Sequence, residues 1–268
     1  MKRGYEIISC SLTRRALISR GAGALTAIGV APLIGRCAVE EAQAVVVEDA
    51  ELKRAALPKT IAGIRIPDSS VAAAAADLVR TVSTPTLYNH CVRTYLFAAL
   101  SFKKSATKFD EELVFLASIL HDLGLVDAYM TDAERFEVDG ADAAVAFLQQ
   151  WHLPPNQLET VWDAIALHTS IGIVSRKRPD IAAVSLGSGA DMGGIGLDQL
   201  AQADINEVLL YLPRLGFKRE AIRTVLHICE KKPFATLMTA FAEVGRAHNP
   251  LFPVPTLEDI FLAAPFLD

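Results

Sequence analysis

Residues 117–125 read ASILHDLGL, with a histidine and an aspartate side by side inside an otherwise apolar run. Burying either side chain without a partner costs several kcal/mol, and more if the group is charged. His121 and Asp122 therefore need partners from elsewhere in the chain. A divalent cation would satisfy both, because it supplies positive charge to the carboxylate and accepts the imidazole lone pair.

Helical signals dominate the chain on both sides of this run, and no alternating strand run with hairpin turn residues is present. The segment FDEELVFLASILHDLG (109–124) opens with Asp110 as N-cap and is expected to end at Gly124. Further helices are predicted over 70–83, 84–102, 139–151, 154–170, 179–192, 204–213, 218–232 and 234–247. The predicted fold class is all-α, a bundle of about eight to ten helices forming one domain over residues 69–268.

The first 44 residues are interpreted as an export signal. Arg14 and Arg15 lie within TRRALIS (13–19), and an apolar stretch over 21–35 follows them. A membrane span needs roughly 20 apolar residues, so this shorter stretch is typical of a signal. The arginine pair and the residues after it resemble a twin-arginine signal; an ordinary secretory signal or a retained anchor is the alternative.

Small residues in AQA (42–44) offer a cleavage site near Ala44. The resemblance implies the twin-arginine export machinery as a partner and a periplasmic or exported mature protein. Residues 45–68 are expected to form an extended lead-in to the helical domain.

The predicted mature chain carries a net negative charge. Without residues 1–44, 20 Lys and Arg face 28 Asp and Glu, a formal charge of −8. This balance gives no indication of nucleic acid or an anionic membrane surface as a partner, and no stable span is expected after processing. Cys91 and Cys229 lack metal-type spacing, and whether they pair is left open, as is the oligomeric state.

Two other residues complete a pattern with the HD pair. His90 lies mid-helix 31 residues before His121, and Asp191 lies 69 residues after Asp122 among small residues in LGSGADMGGIG (186–196). In this order, H…HD…D, on an all-α chain, they resemble the HD superfamily of metal-dependent hydrolases. The resemblance implies that these four side chains bind one divalent metal, Zn first, with Fe, Mn or Ni as alternatives. A core histidine at 90 and a helix cap at 191 are the structural alternatives.

Two further stretches resemble the cyanamide hydratase branch of this superfamily: ERFEVDGADAA (134–144) and DAIALHTSIGI (163–173). This resemblance implies a hydrolase or hydratase that uses a metal-bound hydroxide on a small nitrile-like substrate such as cyanamide. It implies His168 and Thr169 as catalytic residues, with His168 in hydrogen bonding or proton transfer. Glu137 is expected to orient a ligand histidine. A core histidine and a solvated loop glutamate are the respective alternatives.

The rival enzyme hypothesis is a metal-dependent phosphohydrolase acting on a nucleotide or other phosphomonoester. Such a site needs cations to meet the phosphate charge, and the candidates are SRKRPD (175–180) and the pair Lys103 and Lys104, which solvated helix ends would also explain. Arg93 is the nearby helical cation, and His152 is expected to be exposed. A non-catalytic metal-binding module is the third hypothesis.

Overall fold

The structure, a computed structural model, describes residues 57–266. The export signal and the first part of the lead-in lie outside these residues. The described part is mostly helical and contains ten α-helices, which confirms the all-α prediction. They are α1 (Ser70–Val82), α2 (Pro85–Ser105), α3 (Glu111–Leu120), α4 (Phe136–Gln149), α5 (Pro155–Ala166), α6 (Pro179–Gly193), α7 (Gln202–Tyr211), α8 (Phe217–Lys231), α9 (Ala240–His248) and α10 (Leu257–Leu262). None of these described helices is both long enough and apolar enough to span a bilayer.

Helix α2 forms the centre of the bundle and is buried along most of its length. It packs against α3 and, most extensively, against α6. At the α2–α6 crossing, a Cβ atom added to Gly187 would lie 1.8 Å from the carbonyl oxygen of Thr94. Only glycine therefore permits this approach of the two backbones.

Helix α3 begins as the sequence predicts, but it ends four residues early. Asp110 caps its start, accepting a hydrogen bond from the Leu113 amide at 3.0 Å. The helix ends at Leu120, with His121 as its C-cap and Asp122 at φ −100°, ψ 15°. The chain then forms a 3₁₀ turn over Leu123–Leu125. The HD pair therefore lies at the helix end, where the side chains leave the regular helical face.

Close packing explains the turn after Asp122. A Cβ atom on Gly124 would lie 1.9 Å from the carbonyl oxygen of Phe136. The first turn of α4 thus lies directly against the turn that follows Asp122. A residue with a side chain at position 124 would separate the two segments.

A small hairpin precedes α1, which the sequence analysis did not predict. Its strands, β1 (Thr60–Ile61) and β2 (Ile64–Arg65), pair in antiparallel register across a turn at Ala62 and Gly63 with φ values of 50° and 68°. Each strand is two residues long, too short for an alternating pattern to be visible in the sequence. The buried Ile61 anchors this hairpin in the helical core.

The C-terminal helices are joined to the start of α4 by two buried contacts. The Lys232 ammonium forms an ion pair with the Asp139 carboxylate, and both side chains are 1% exposed. The ring of Phe241 stacks on that of Phe136, with centroids 4.7 Å apart. These contacts hold the segment that runs from Thr131 into the start of α4. That segment carries two side chains of the candidate site.

Candidate metal and catalytic site

Three donor atoms converge where α2 passes the end of α3. The Asp122 Oδ2 atom lies 3.5 Å from Nε2 of His90 and 3.3 Å from Nε2 of His121. The three residues are at most 6% exposed. One donor atom from each lies within 4.8 Å of the other two, the spacing of a metal-binding group.

The hydrogen bonds of His121 leave one of its nitrogens without a partner. Its Nδ1 atom donates to the Ser118 carbonyl oxygen at 2.7 Å. The Nε2 atom is buried and has no hydrogen-bond partner among residues 57–266. An orphaned buried acceptor of this kind costs about 1–3 kcal/mol unless something else occupies it.

The donor set fits a divalent metal ion. Two ligands bound tetrahedrally to one zinc at about 2.0–2.1 Å lie about 3.3–3.4 Å apart. The spacings of 3.3 and 3.5 Å between the Asp122 oxygen and the two imidazole nitrogens match that value. Mixed nitrogen and oxygen donors suit zinc, iron, manganese and nickel, so the donor set leaves the metal's identity open.

The electrostatics of the cluster also favour a cation. Burial, reinforced by the neighbouring His90, lowers the pKa of His121 to about 3, so its imidazole is neutral at pH 7. Burial raises the pKa of Asp122, and the nearby histidines offset this only in part. Within the described residues, no side chain donates a hydrogen bond to the Asp122 carboxylate. A divalent ion would supply the positive partner that the Asp122 carboxylate lacks.

Asp191, which the sequence pattern predicts as a fourth ligand, lies on the other side of the His90 ring, in the last turn of α6. Its Oδ2 atom accepts from His90 Nδ1 at 2.7 Å and from Arg93 Nη2 at 2.8 Å. Its Oδ1 atom accepts from Arg93 Nε and from Arg214 Nη1, each at 2.8 Å. Burial alone would raise the pKa of Asp191, but the hydrogen bonds from His90 and Arg93 hold it well below its usual range.

His168 lies two residues beyond the end of α5 and faces the cluster edge-on. Its ring centroid is 5.0 Å from that of His121, with the two planes nearly perpendicular. Its Nδ1 atom donates to the Ile165 carbonyl oxygen at 2.6 Å, which leaves the Nε2 lone pair available. Burial and the neighbouring His121 lower the pKa of His168 to about 4. The residue is therefore neutral at pH 7 and able to accept a proton.

Glu137 and Thr169, the other predicted catalytic residues, lie together beside His168. Thr169 donates its hydroxyl to Glu137, and Arg135 donates to both carboxylate oxygens at 2.6 and 3.2 Å. These bonds outweigh the effect of burial and hold the pKa of Glu137 below its ordinary value. Within the described residues Glu137 makes no hydrogen bond to a histidine, so the expected orienting contact is absent there.

Three residues of the site were missed by the sequence analysis. Arg135 lies two residues before Glu137, and a search for a cation beside each buried carboxylate could have found it. Arg214 lies in the connection between α7 and α8, and Phe217 is the first residue of α8; they follow His90 by 124 and 127 residues. Phe217 stacks on the His90 ring at 4.7 Å. No local pattern marks either residue.

Other residues considered in the sequence analysis lie away from the cluster. His152 is exposed, as expected. Lys103 and Lys104 are exposed as well, and so are residues 176–178. The thiols of Cys91 and Cys229 are both free.

The comparison with protein families agrees with this geometry. The family model described as HD domain matches residues 87–200. The match includes His90, His121, Asp122 and Asp191 and ends before Arg214. HD domains belong to a superfamily of metal-dependent hydrolases. The search of curated proteins found no match to the chain.

Proposed function

We propose that this protein is a metal-dependent hydratase or hydrolase that acts on a small nitrile-like substrate such as cyanamide. The observation that carries the metal dependence is the convergence of three buried donor atoms. One of them, Nε2 of His121, has no hydrogen-bond partner among the described residues. The HD-domain match to residues 87–200 supports the hydrolase class. The choice of substrate depends on the charge and size of the surroundings.

His90, His121 and Asp122 would hold the ion. A divalent ion in such a site supplies Lewis acidity, which brings the pKa of a coordinated water close to neutral. Zinc is the first candidate, and iron, manganese and nickel are the others.

His168 is proposed to move the proton. Addition of water to the C≡N bond of cyanamide forms one C–O bond, breaks one C–N π bond and moves one proton from water to the nitrile nitrogen; a second proton shift, from oxygen to nitrogen, then gives urea. The neutral Nε2 atom of His168 can accept that proton and return it to the nitrogen, because Nδ1 is committed to the Ile165 carbonyl oxygen. Glu137 and Thr169 are proposed to support this step by fixing the segment next to His168.

The charges around the site favour a neutral substrate. Three carboxylates and three arginines lie in or beside it, and each arginine is paired with a carboxylate. The carboxylates are Asp122, Asp191 and Glu137, and the arginines are Arg93, Arg135 and Arg214. A phosphomonoester dianion needs cationic donors that are free to bind its oxygens. Within this group, no arginine is free without breaking an ion pair.

The packing around the histidines favours a compact substrate. Phe217 stacks on His90, and the ring of Phe136 contacts His168 edge-on with centroids 5.5 Å apart. His90 is 2% exposed and His168 is 7% exposed. A linear molecule of three or four heavy atoms needs much less room between these rings than a nucleotide does.

One observation favours the phosphohydrolase alternative. The Arg135 side chain is 42% exposed, although it is paired with the buried Glu137. An arginine at the edge of a metal site can turn toward a phosphate group. A nucleotide or another phosphomonoester is therefore the second candidate substrate. A metal-binding module without catalysis is the third candidate function.

The test is a direct comparison of the two reactions in the purified, metal-loaded protein. Urea formation from cyanamide is measured beside phosphate release from p-nitrophenyl phosphate and a set of nucleoside monophosphates. We expect urea formation that is lost in Asp122→Asn and retained in the matched surface variant Asp198→Asn. Phosphate release that depends on Asp122, without urea formation, would establish the phosphohydrolase alternative. If neither urea nor phosphate forms, the result favours a binding module without catalysis.

We also propose export by the twin-arginine route, with cleavage near Ala44 and a periplasmic or exported mature protein. The support is the sequence pattern around Arg14 and Arg15, which lies outside the described residues. Changing both arginines to lysine keeps the charge but should retain the protein in the cytoplasm, as fractionation would show. Unchanged delivery of the double-lysine form would refute this route.

A further inference from the structure

Asp191 and Asp122 lie against opposite nitrogens of the same imidazole ring. Nδ1 of His90 is bound to Asp191, and Nε2 faces Asp122. An imidazole that donates from Nδ1 has its lone pair on Nε2. The contact with Asp191 thus selects the tautomer of His90 that presents a lone pair to the donor cluster.

The Asp191 carboxylate has no acceptor site left for a metal ion. An ionised carboxylate offers about four lone-pair positions on its two oxygens. Asp191 accepts four hydrogen bonds, two at each oxygen, all at 2.7–2.8 Å. His90, Arg93 and Arg214 donate them, and the side chains of Arg93 and Asp191 are fully buried.

The donors to Asp191 are themselves held in place. The Nη1 atom of Arg93 also donates to the carbonyl oxygens of Leu212 and Pro213, each at 3.1 Å. Arg214 donates to the Asp191 backbone carbonyl as well as to its carboxylate. The connection between α7 and α8 therefore holds both Arg93 and Asp191 in place through hydrogen bonds.

We propose that Asp191 is a positioning residue for His90 and does not ligate the metal, with Arg93 and Arg214 holding its carboxylate. The proposal depends on the metal site of the proposed function and specifies it further: the protein ligands are His90, His121 and Asp122. A carboxylate behind a ligating histidine fixes the orientation of the ring and raises its basicity as a ligand.

The experiment measures metal stoichiometry and affinity in the full mature chain, using zinc against a competing chelator. Asp191→Asn should still bind one zinc per chain, with affinity about 10–100-fold below wild type. Asp122→Asn should retain none, and Asp198→Asn should match wild type. Loss of zinc from Asp191→Asn, in a variant whose circular dichroism is native, would make Asp191 a ligand and overturn the proposal.

Arg214→Ala provides a second test that does not depend on a core substitution, since this side chain is 30% exposed. If Asp191 were a ligand, removing a competing cation would make it a better donor, and zinc affinity would rise. If Asp191 only positions His90, the loss of Arg214 leaves the Asp191 carboxylate held less firmly, so zinc affinity stays equal or falls. A rise overturns the proposal, whereas an equal or lower affinity supports it.

These measurements distinguish failure of the proposed function from failure of the positioning role. If wild type binds no zinc or other divalent metal, the proposed function fails and this inference fails with it. If wild type binds metal and Asp191→Asn loses it, only the positioning role fails.

Discussion

The two sides of the His90 ring differ in how the fold treats a buried carboxylate. Asp191 accepts four hydrogen bonds and lies between two guanidinium groups. Asp122 is also buried, yet its pKa is raised and no described side chain donates to it. The first carboxylate is satisfied by the protein, and the second is left for the proposed cation to satisfy. Burial of an acidic residue alone therefore does not identify a ligand; the donors around it do.

Removing the unsatisfied carboxylate should have the largest effect. Asp122→Asn should abolish metal retention and lower catalytic turnover at least about 1,000-fold, because about 4 kcal/mol of metal-assisted stabilisation is lost. The metal-free protein should be no less stable than wild type, since the variant removes a buried charge without a protein partner. Elemental analysis, kinetics and denaturant unfolding measure the three effects.

Asp198→Asn, at an exposed position, is the control for this variant. Marked destabilisation of the metal-free Asp122→Asn protein would show that the Asp122 carboxylate has a structural role like that of Asp191.

His168→Ala should separate proton transfer from metal binding. We expect turnover to fall about 100–1,000-fold, within the range for loss of a general acid–base residue, with one metal per chain retained. Kinetics and elemental analysis measure these effects, and His248→Ala, at an exposed histidine, is the control. Metal loss in the His168 variant would place this residue among the ligands instead.

The stability of the metal-free protein should depend on pH in a defined window. The pKa of His168 is lowered from 6.5 to about 4. Above pH 6.5 this imidazole is neutral in both states, and below it protonation favours the unfolded chain. This residue should therefore reduce the free energy of unfolding by about 3 kcal/mol as the pH falls from 6.5 to about 4.

His121, whose pKa is lowered to about 3, adds in the same direction. Asp122 opposes part of the loss, because its raised pKa makes the folded state take up a proton. Denaturant unfolding at a series of pH values, with chelator present, measures the sum. A free energy of unfolding that stayed constant over this window would contradict the burial of neutral histidines.

The smallest effect is expected at an exposed ion pair. Lys177 lies 3.0 Å from Asp163, and the two side chains are 43% and 27% exposed. Lys177→Ala should change the free energy of unfolding by about 0.5 kcal/mol and leave turnover unaltered. Arg93→Met, which removes two of the four hydrogen bonds to the buried Asp191 carboxylate, should by contrast cost about 3–5 kcal/mol. Similar losses in both variants would remove the distinction between exposed and buried pairs.

Much of the helical fold could be predicted because its signals are local. Asp110 caps α3 as expected, accepting a hydrogen bond from the Leu113 amide. The end of α3 could not be placed, because the close packing of Gly124 against the first turn of α4 ended the helix there. The hairpin before α1 was missed for lack of a pattern in two-residue strands.

For the candidate site, the sequence alone identified His90, His121, Asp122 and Asp191 as residues that belong together. Polar side chains on apolar helices need partners, and their order along the chain limited the choice. The tertiary structure decided which of the two aspartates has its carboxylate filled by hydrogen bonds from the described residues. That decision depends on Arg93 and on Arg214, whose carboxylate contacts span 98 and 23 residues of sequence. Such contacts exist only when helices distant along the chain pack together, so no local pattern of residues encodes them.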